Sequence, residues 1–322
     1  MIRPATAVRV DERIRVAPLL EVAGLTKAYG RKRGISDVSF AVEAGEVFGF
    51  LGPNGAGKTT TMRLLMGLLY PDRGTARIAG LDCWRQSVDV TRVVGYLPGE
   101  LALDANLTGG QILAYLANLR GGVDRAYLET LIARVDLDPT RRFRQYSHGN
   151  KQKVGLIQAF MHRPRFLILD EPTTGLDPLN QHEFARLVAD VRADGRTVFL
   201  SSHILSEVEA VCDRVAIVRD GRLVRVGAVA SLTEIKRHEV ELTFAGDPAA
   251  TAFNDLTGVE RIEALPDGRT LRIVLHGEID PMVKMAARYP LTNFISREPS
   301  LEDVFLGLYQ ADAAGEGDSV AP

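Results

Sequence analysis

The chain has 322 residues, 46% hydrophobic and 25% charged, enough material for two globular units with cores of their own. A formal net charge of −2 removes any whole-chain case for non-specific nucleic-acid binding. No stretch reaches the roughly 18 consecutive apolar residues of a membrane span, so a role at a membrane requires a partner that supplies the embedded part.

The first 17 residues mix Arg3, Arg9, Arg13 and Arg15 with Asp11 and Glu12. They lack the apolar run of a secretory signal and are expected to form a flexible extension. Apolar runs at 19–22 and 38–42 predict antiparallel strands. Residues 47–51, Val-Phe-Gly-Phe-Leu, predict a buried parallel strand, and residues 60–69 a helix. A turn at 71–74 leads to short strands at 75–78 and 93–97. Residues 109–160 read as mostly helical. The first helix, 111–119, places Ile112, Leu113, Leu116 and Leu119 at helical spacing and stops at Gly121-Gly122. Helices at 127–135 and 151–161 follow. Strands at 166–169, 197–201 and 214–218 then alternate with helices at 179–192 and 205–211. That alternation predicts an α/β fold, a parallel sheet covered on both faces, into which the helical stretch is inserted.

The style changes near residue 235. Strands at 240–244, 259–265, 270–275 and 291–296, a turn at 266–268 and a helix at 280–289 predict a small α+β unit. Ser300 is placed to N-cap a last helix with Glu302 and Asp303 in its first turn. The expected organisation is therefore an extension over 1–17, a main domain over 18–235 with a helical subdomain at about 100–160, an accessory or regulatory domain over 236–309, and a small, acidic, disordered tail over 310–322. Cys83 and Cys212 stand far apart, without metal-ligand spacing, and are expected to be reduced core thiols.

Chemistry enters at residues 52–59, Gly52-Pro53-Asn54-Gly55-Ala56-Gly57-Lys58-Thr59, the G-x-x-x-x-G-K-[ST] pattern. Glycines let backbone N–H groups turn inward around phosphates, and Lys58 sets a cation beside them. The Thr59 hydroxyl can ligate Mg²⁺, and Thr60 continues the binding segment. The strand before the loop and the helix after it place an anion at a helix N-terminus. The expected ligand is a nucleoside triphosphate with Mg²⁺. Further on, the apolar run 166–169 ends in Asp170-Glu171. On its own, that pair is a strand end with a helix cap. Downstream of a phosphate loop, Asp170 is suited to hold the metal and Glu171 to polarise an attacking water.

Three further motifs sit around that strand: Tyr146-Ser147-His148-Gly149-Asn150-Lys151-Gln152 before it, Gly175-Leu176-Asp177 after it, and Ser201-Ser202-His203 at the end of the next strand. As an ordered set they resemble the nucleotide-binding subunit of an ABC transporter over residues 19–230. The resemblance implies a P-loop NTPase fold of the ABC ATPase type, with an antiparallel β-subdomain and a helical insertion. It implies that Ser147 and Gly149 meet the γ-phosphate of ATP bound by a second copy. By the same resemblance Asp177 links the two sites, His203 contacts the γ-phosphate, and Tyr29 stacks on adenine. His148 and Asn150 replace the family's usual Gly and Gln. His182, His238 and His276 have no such motif around them.

One departure concerns residue 99. The family carries Gln after a strand ending Tyr-Leu-Pro, whereas here Gly95-Tyr96-Leu97-Pro98 is followed by Gly99-Glu100. Water can replace the missing amide, Glu100 can swing in, or turnover is slow. The segment Arg297-Glu298-Pro299-Ser300-Leu301-Glu302-Asp303-Val304-Phe305 resembles the ending of ATPases from bacterial drug, lipid and polysaccharide exporters. The resemblance implies an ATPase that pairs with itself around two ATP molecules and drives a separate membrane permease from the cytoplasmic face, as a peripheral protein and without nucleic acid. Two other readings stay open: a soluble ABC ATPase acting on ribosomes or DNA, and a non-hydrolytic ATP-binding regulator.

Overall fold

The structure, a computed structural model, describes residues 17–30, 32–233, 237–246 and 250–297. The extension expected over 1–17, except for residue 17, the helix expected to be capped by Ser300 with residues 298–305 of its motif, and the tail expected over 310–322 lie outside these ranges.

The chain opens with β1 (Leu20–Tyr29) and β2 (Lys32–Val42), antiparallel partners with Leu20 opposite Val42. Then comes β3 (Val47–Leu51), buried along its whole length, followed by α1 (Lys58–Leu65). The helix expected over 60–69 thus starts earlier and stops short. Gly67 takes a left-handed φ of 67°, its N–H bonds to Leu64 O, and the Leu68 N–H bonds to Arg63 O, which closes the helix end with a Schellman turn. β4 (Arg73–Ile78) returns along β1, and β5 (Leu81–Asp82) flanks it. The turn expected at 71–74 is shorter than expected because Asp72 accepts the Ala28 N–H at 2.7 Å and ties the chain to β1.

An unforeseen helix, α2 (Ser87–Val93), leads into β6 (Val94–Leu97). The helical stretch holds α3 (Gly109–Leu119), α4 (Arg125–Arg134) and α5 (His148–Phe160). Thr108 and Gln111 form a reciprocal capping box at the start of α3. Ile112 and Leu113 are buried as their spacing predicts, but Leu119 is 66% exposed and points away from the core. Beyond it lie β7 (Phe166–Leu169), α6 (Pro178–Ala193), β8 (Thr197–Ser202), α7 (Leu205–Val211) and β9 (Arg214–Arg219). β10 (Arg222–Ala228) and α8 (Val229–Thr233) complete this part and were not expected from the sequence.

The central sheet runs β10-β9-β3-β8-β7-β6. Its strands are parallel except for β10, which returns antiparallel to β9. Alternation along β3 divides the core. Val47 and Leu51 face the side covered by the inserted helices, while Phe48 and Phe50 face the antiparallel sheet β2-β1-β4-β5. There Phe40 of β2 stacks 5.6 Å from Phe48 and 5.6 Å from Phe199, locking the two sheets together. Each such ring, fully buried, contributes about 2–3 kcal/mol. Cys83 and Cys212 are buried and unbridged.

β11 (Arg237–Phe244), β12 (Val259–Ala264), β13 (Thr270–His276), α9 (Asp280–Ala286) and β14 (Leu291–Arg297) make a third sheet in the order β12-β13-β11-β14. A 3₁₀ turn, Ala250–Phe253, stands between β11 and β12. All neighbours are antiparallel, which is the ferredoxin-like β-α-β-β-α-β arrangement. Val240, Leu242, Ile273, Phe253 and Met282 form its core. The helix expected over 280–289 ends at Ala286, because the next N–H groups, Arg288 and Tyr289, reach back only three residues before Pro290.

Candidate functional site

The carboxyl ends of four parallel strands converge where the strand order reverses around β3, the usual place for a ligand in an open α/β sheet. β3 delivers the loop 52–57, β7 delivers Asp170 and Glu171, β8 delivers His203, and β6 delivers Gly99.

A cleft of about 350 Å³ lies over that loop, lined by Tyr29, Asn54, Gly55, Gly57, Lys58, Thr59, Thr60 and Glu171. Gly55 and Gly57 hold φ of 82° and 102°, a turn that L side chains resist. Gly57 precedes α1 and no side chain caps it, so the first-turn N–H groups of the helix remain available to an anion. Gly52 and Pro53 serve through their carbonyls, which accept from Lys58 Nζ at 2.7 and 3.2 Å. Ala56 is buried, and its carbonyl accepts the Gly221 N–H. Tyr29 is 44% exposed at the mouth.

Lys58 is buried and its third contact is Glu171 Oε1 at 3.1 Å. The other oxygen of Glu171 meets His203 Nδ1 at 2.9 Å and accepts from Thr174 Oγ1 at 3.2 Å. Burial, the largest single influence, pushes the Glu171 carboxyl up. The Lys58 hydrogen bond and charge, His203 and Thr174 together outweigh it and hold the group below the ordinary carboxylate value. Glu171 also sits at a left-handed φ of 48°, a conformation uncommon for a non-glycine residue. Its backbone is pinned: the Gln152 amide donates to Glu171 O and Pro172 O, both at 3.1 Å. The Glu171 N–H donates to Ser201 Oγ at 2.9 Å.

Ser201 in turn donates to Asp170 Oδ1 at 2.7 Å. Asp170 is 0% exposed, yet its second oxygen has no hydrogen-bond partner. An unpaired buried carboxylate oxygen is costly unless a cation faces it. That orphan, with a threonine hydroxyl at the start of α1, is a donor set suited to Mg²⁺ completed by phosphate oxygens and water. Among the described residues no cluster of three or more His, Cys, Asp or Glu side chains offers an all-protein metal site. A Cβ at Gly99 would come 3.0 Å from the same Asp170 oxygen. Tyr96, on the strand below, is pushed up to about 12 by burial and by the charge of Asp170.

Ser147, Gly149 and Asp177 do not line this cleft. They gather elsewhere. Ser147 is exposed and caps α5, accepting the Asn150 N–H at 3.3 Å. Gly149 therefore lies inside the first turn of a helix that begins at His148, three residues ahead of its expected start. A Cβ on Gly149 would fall 2.5 Å from Gly175 O, and one on Gly175 would fall 2.3 Å from the His148 ring. Asp177 caps α6 through the Asn180 N–H, and that bond with the Asn180 side chain lowers its carboxyl. The residues 147–150 and 175–177 thus form one interlocked surface. Ser201, Gln152 and Thr174 are the supporting groups that sequence reasoning passed over. Gln152 and Ser201 stood inside quoted motifs, but nothing in spacing tied them to Glu171.

The ABC transporter family model matches residues 35–174. The Nod factor export ATP-binding protein I of Paraburkholderia xenovorans (strain LB400) is 35% identical over 90% of this chain and 96% of its own length. The bacitracin transport ATP-binding protein BcrA of Bacillus licheniformis is 31% identical over 93% of this chain and 100% of its own. Among solved structures, an ATP-binding subunit of an ABC transporter superposes with a TM-score of 0.61 at 33% identity, over 66% of this chain and 91% of that one. A dimeric bacterial ABC transporter cassette shares the fold with a TM-score of 0.60 at 20% identity, over 65% of this chain and 98% of that one.

Proposed function

Because the chain belongs to the ABC transporter ATP-binding proteins, we propose that it hydrolyses ATP in the cleft above residues 52–59 and that two copies together drive an exporter permease. The observation that carries this reading is the chain of contacts Lys58–Glu171–His203 at the mouth of a phosphate loop. Tyr29 supplies a face for adenine. The loop amides and Lys58 hold the phosphates. All three protons of Lys58 are already engaged by Gly52 O, Pro53 O and Glu171, so a phosphate must draw the ammonium away from Glu171. With that bond loosened, the strongest of the influences that lower the Glu171 carboxyl is removed, and its carboxylate becomes a better base for the attacking water. His203, held by Glu171 Oε2, stands ready to contact the γ-phosphate. Thr59 and Asp170 would hold Mg²⁺, which neutralises phosphate charge as the bond breaks.

The surface 147–150 and 175–177 is the part of each copy that closes on the partner's ATP, through Ser147, Gly149 and Asp177. ATP favours the closed pair because only there does its γ-phosphate meet a second set of donors. That differential affinity is the driving force. A groove of about 730 Å³ lined by Val88, Arg92, Leu116, Leu119, Arg120 and His162 is the permease contact, and the exposed Leu119 is an anchor in it. Leu101, packed against Gly155 of α5, connects the Gly99 segment to the same helices. Kinship with the exporter ATP-binding relatives supports a peripheral subunit at the cytoplasmic face; among the described residues no helix is long and apolar enough to cross a membrane. The cargo is of the drug, lipid or other hydrophobic kind, or a polysaccharide, by kinship with the exporter relatives.

Sedimentation of Glu171→Gln with and without Mg-ATP tests the paired assembly. A shift from monomer to dimer only with nucleotide supports it, and an ATP-independent monomer removes it. Recovery of a polytopic membrane protein with the tagged chain tests the permease contact, and ribosome or DNA recovery instead would replace it. Gly99 favours one other reading, a non-hydrolytic ATP-binding regulator, which predicts no phosphate release above that of Glu171→Gln.

A further inference from the structure

The third sheet ends in two unlike edges. β12 is guarded by Glu260, Arg261 and Glu263. β14 reads Leu-Thr-Asn-Phe-Ile-Ser-Arg, with no charged residue before its last position. Among the described residues two other edge strands follow the guarded pattern, β2 with Asp37 and β10 with Arg222 and Arg225, while the uncharged edge strand β6 is largely buried. Charge on an edge strand is what keeps one sheet from adding to another. β14 lacks it, and it presents apolar side chains on both faces. Phe294 lies opposite Leu242 on the core face and is 42% exposed; Ile295 lies opposite Glu241 on the other face and is 37% exposed. The outer edge of β14 has no strand beside it among the described residues.

We infer that β14 pairs antiparallel with β14 of a second copy of this chain, joining two four-stranded sheets across a two-fold axis. An uncharged, mixed apolar and polar edge is self-complementary, and antiparallel pairing is the sheet extension that a two-fold axis permits. A single seven-residue pair covers much less than the roughly 1,200–2,000 Å² of a lasting interface. The contact therefore holds as an addition to a larger one, and the proposed ATP-bridged pair supplies it. On this reading the two contacts form together: the nucleotide bridge brings the two edges within reach, and the edge pairing adds to the affinity of the closed pair. The inference rests on the two-copy assembly proposed above.

The test uses the full chain in the Glu171→Gln background. Single cysteines replace Asn293, Phe294, Ile295 and Ser296 in turn; Cys83 and Cys212 are buried, so the unsubstituted chain is the control. Residues opposite each other across such a pair have Cβ atoms about 4.5–5.5 Å apart, so at least one position forms an intermolecular disulfide, faster with Mg-ATP. Phe294→Lys and Ile295→Lys raise the ATP-dependent dimer dissociation constant about fivefold or more without changing ATP binding by the monomer or the melting temperature. An ATP-dependent dimer that forms with no cross-link at any position, and that tolerates both lysines, overturns the inference and leaves the proposed assembly standing. Cross-linking without any ATP-dependent dimer sinks the nucleotide bridge and, with it, the inference that the edge pairing adds to that bridge. Thiols at 293–296 that resist maleimide in the monomer and never cross-link would mean that residues 298–322 of the same chain cover the edge, which also overturns it.

Discussion

Replacing Ser201 by alanine removes one hydroxyl and strands two buried groups. In the folded protein Ser201 Oγ donates to Asp170 Oδ1 at 2.7 Å and accepts the Glu171 N–H at 2.9 Å. Asp170 and Ser201 are both fully buried, and Asp170 Oδ2 already lacks a partner. A hydrogen bond to a buried charge contributes about 1.5–3 kcal/mol, and an orphaned backbone N–H costs about 1–3 kcal/mol. Allowing for some relaxation, the loss comes to about 3 kcal/mol, or roughly 6–12 °C in melting temperature for a domain of this size. Function should suffer separately. Glu171 keeps its Lys58 partner and the Gln152 bond to its carbonyl but loses the Ser201 anchor of its N–H, so kcat falls about tenfold to a hundredfold while the KM for ATP moves little. Calorimetry and steady-state phosphate release read the two effects. Thr174→Ala is the control, since its hydroxyl reaches Glu171 from an exposed position at 3.2 Å; it should shift stability by less than about 1 kcal/mol. A Ser201→Ala protein that melts with the wild type and turns over at full rate would refute the view that this serine holds both carboxylates.

Four further outcomes follow. The Glu171 carboxyl is lowered in the folded protein, so the Lys58–Glu171 pair stabilises above the ordinary carboxylate value of 4.5 and that contribution fades as pH falls through the lower folded value; melting curves from neutral to acid pH should show this dependence, weakened in Lys58→Met. Gly99→Ala sets a methyl about 3.0 Å from Asp170 Oδ2, so the Mg²⁺ concentration for half-maximal activity rises several-fold. Glu100→Ala lowers the ATPase rate at unchanged ATP binding if that carboxylate substitutes for the missing amide, and an unchanged rate removes Glu100 from that role and leaves water or slow turnover. Gly175→Ala forces a side chain at a φ of 77° into the His148 ring, so the Glu171→Gln dimer loosens in sedimentation while each monomer still binds ATP.

The strands and the loop that frame the candidate site were largely legible because they are written in contiguous residues. A buried apolar strand, a glycine turn and Lys58-Thr59 occupy one run of the chain, and Phe166 to Glu171 is another. Those strands are buried on both faces, so a continuous apolar run identified them. β10 escaped notice for the opposite reason: Arg222 and Arg225 interrupt its apolar residues, and it pairs as an exposed antiparallel edge. The end of α1 depended on the left-handed Gly67, which reads as just another glycine before a proline turn. The roles of Ser201 and Gln152 depend on tertiary folding, since Ser201 meets Asp170 across 31 positions and Gln152 meets Glu171 across 19. In the third sheet the strands were expected, but their order was not, because pairing partners leave no mark in the pattern of a single strand.

Phosphate release from Mg-ATP, measured side by side for the unsubstituted chain and Glu171→Gln with ATP binding checked in both, bears most directly on the whole account. Steady release by the first and loss of about a hundredfold or more by the second, at similar ATP affinity, is the expected result. Equal release by the two proteins would contradict the assignment of Glu171, and no release by either would leave an ATP-binding protein that does not hydrolyse.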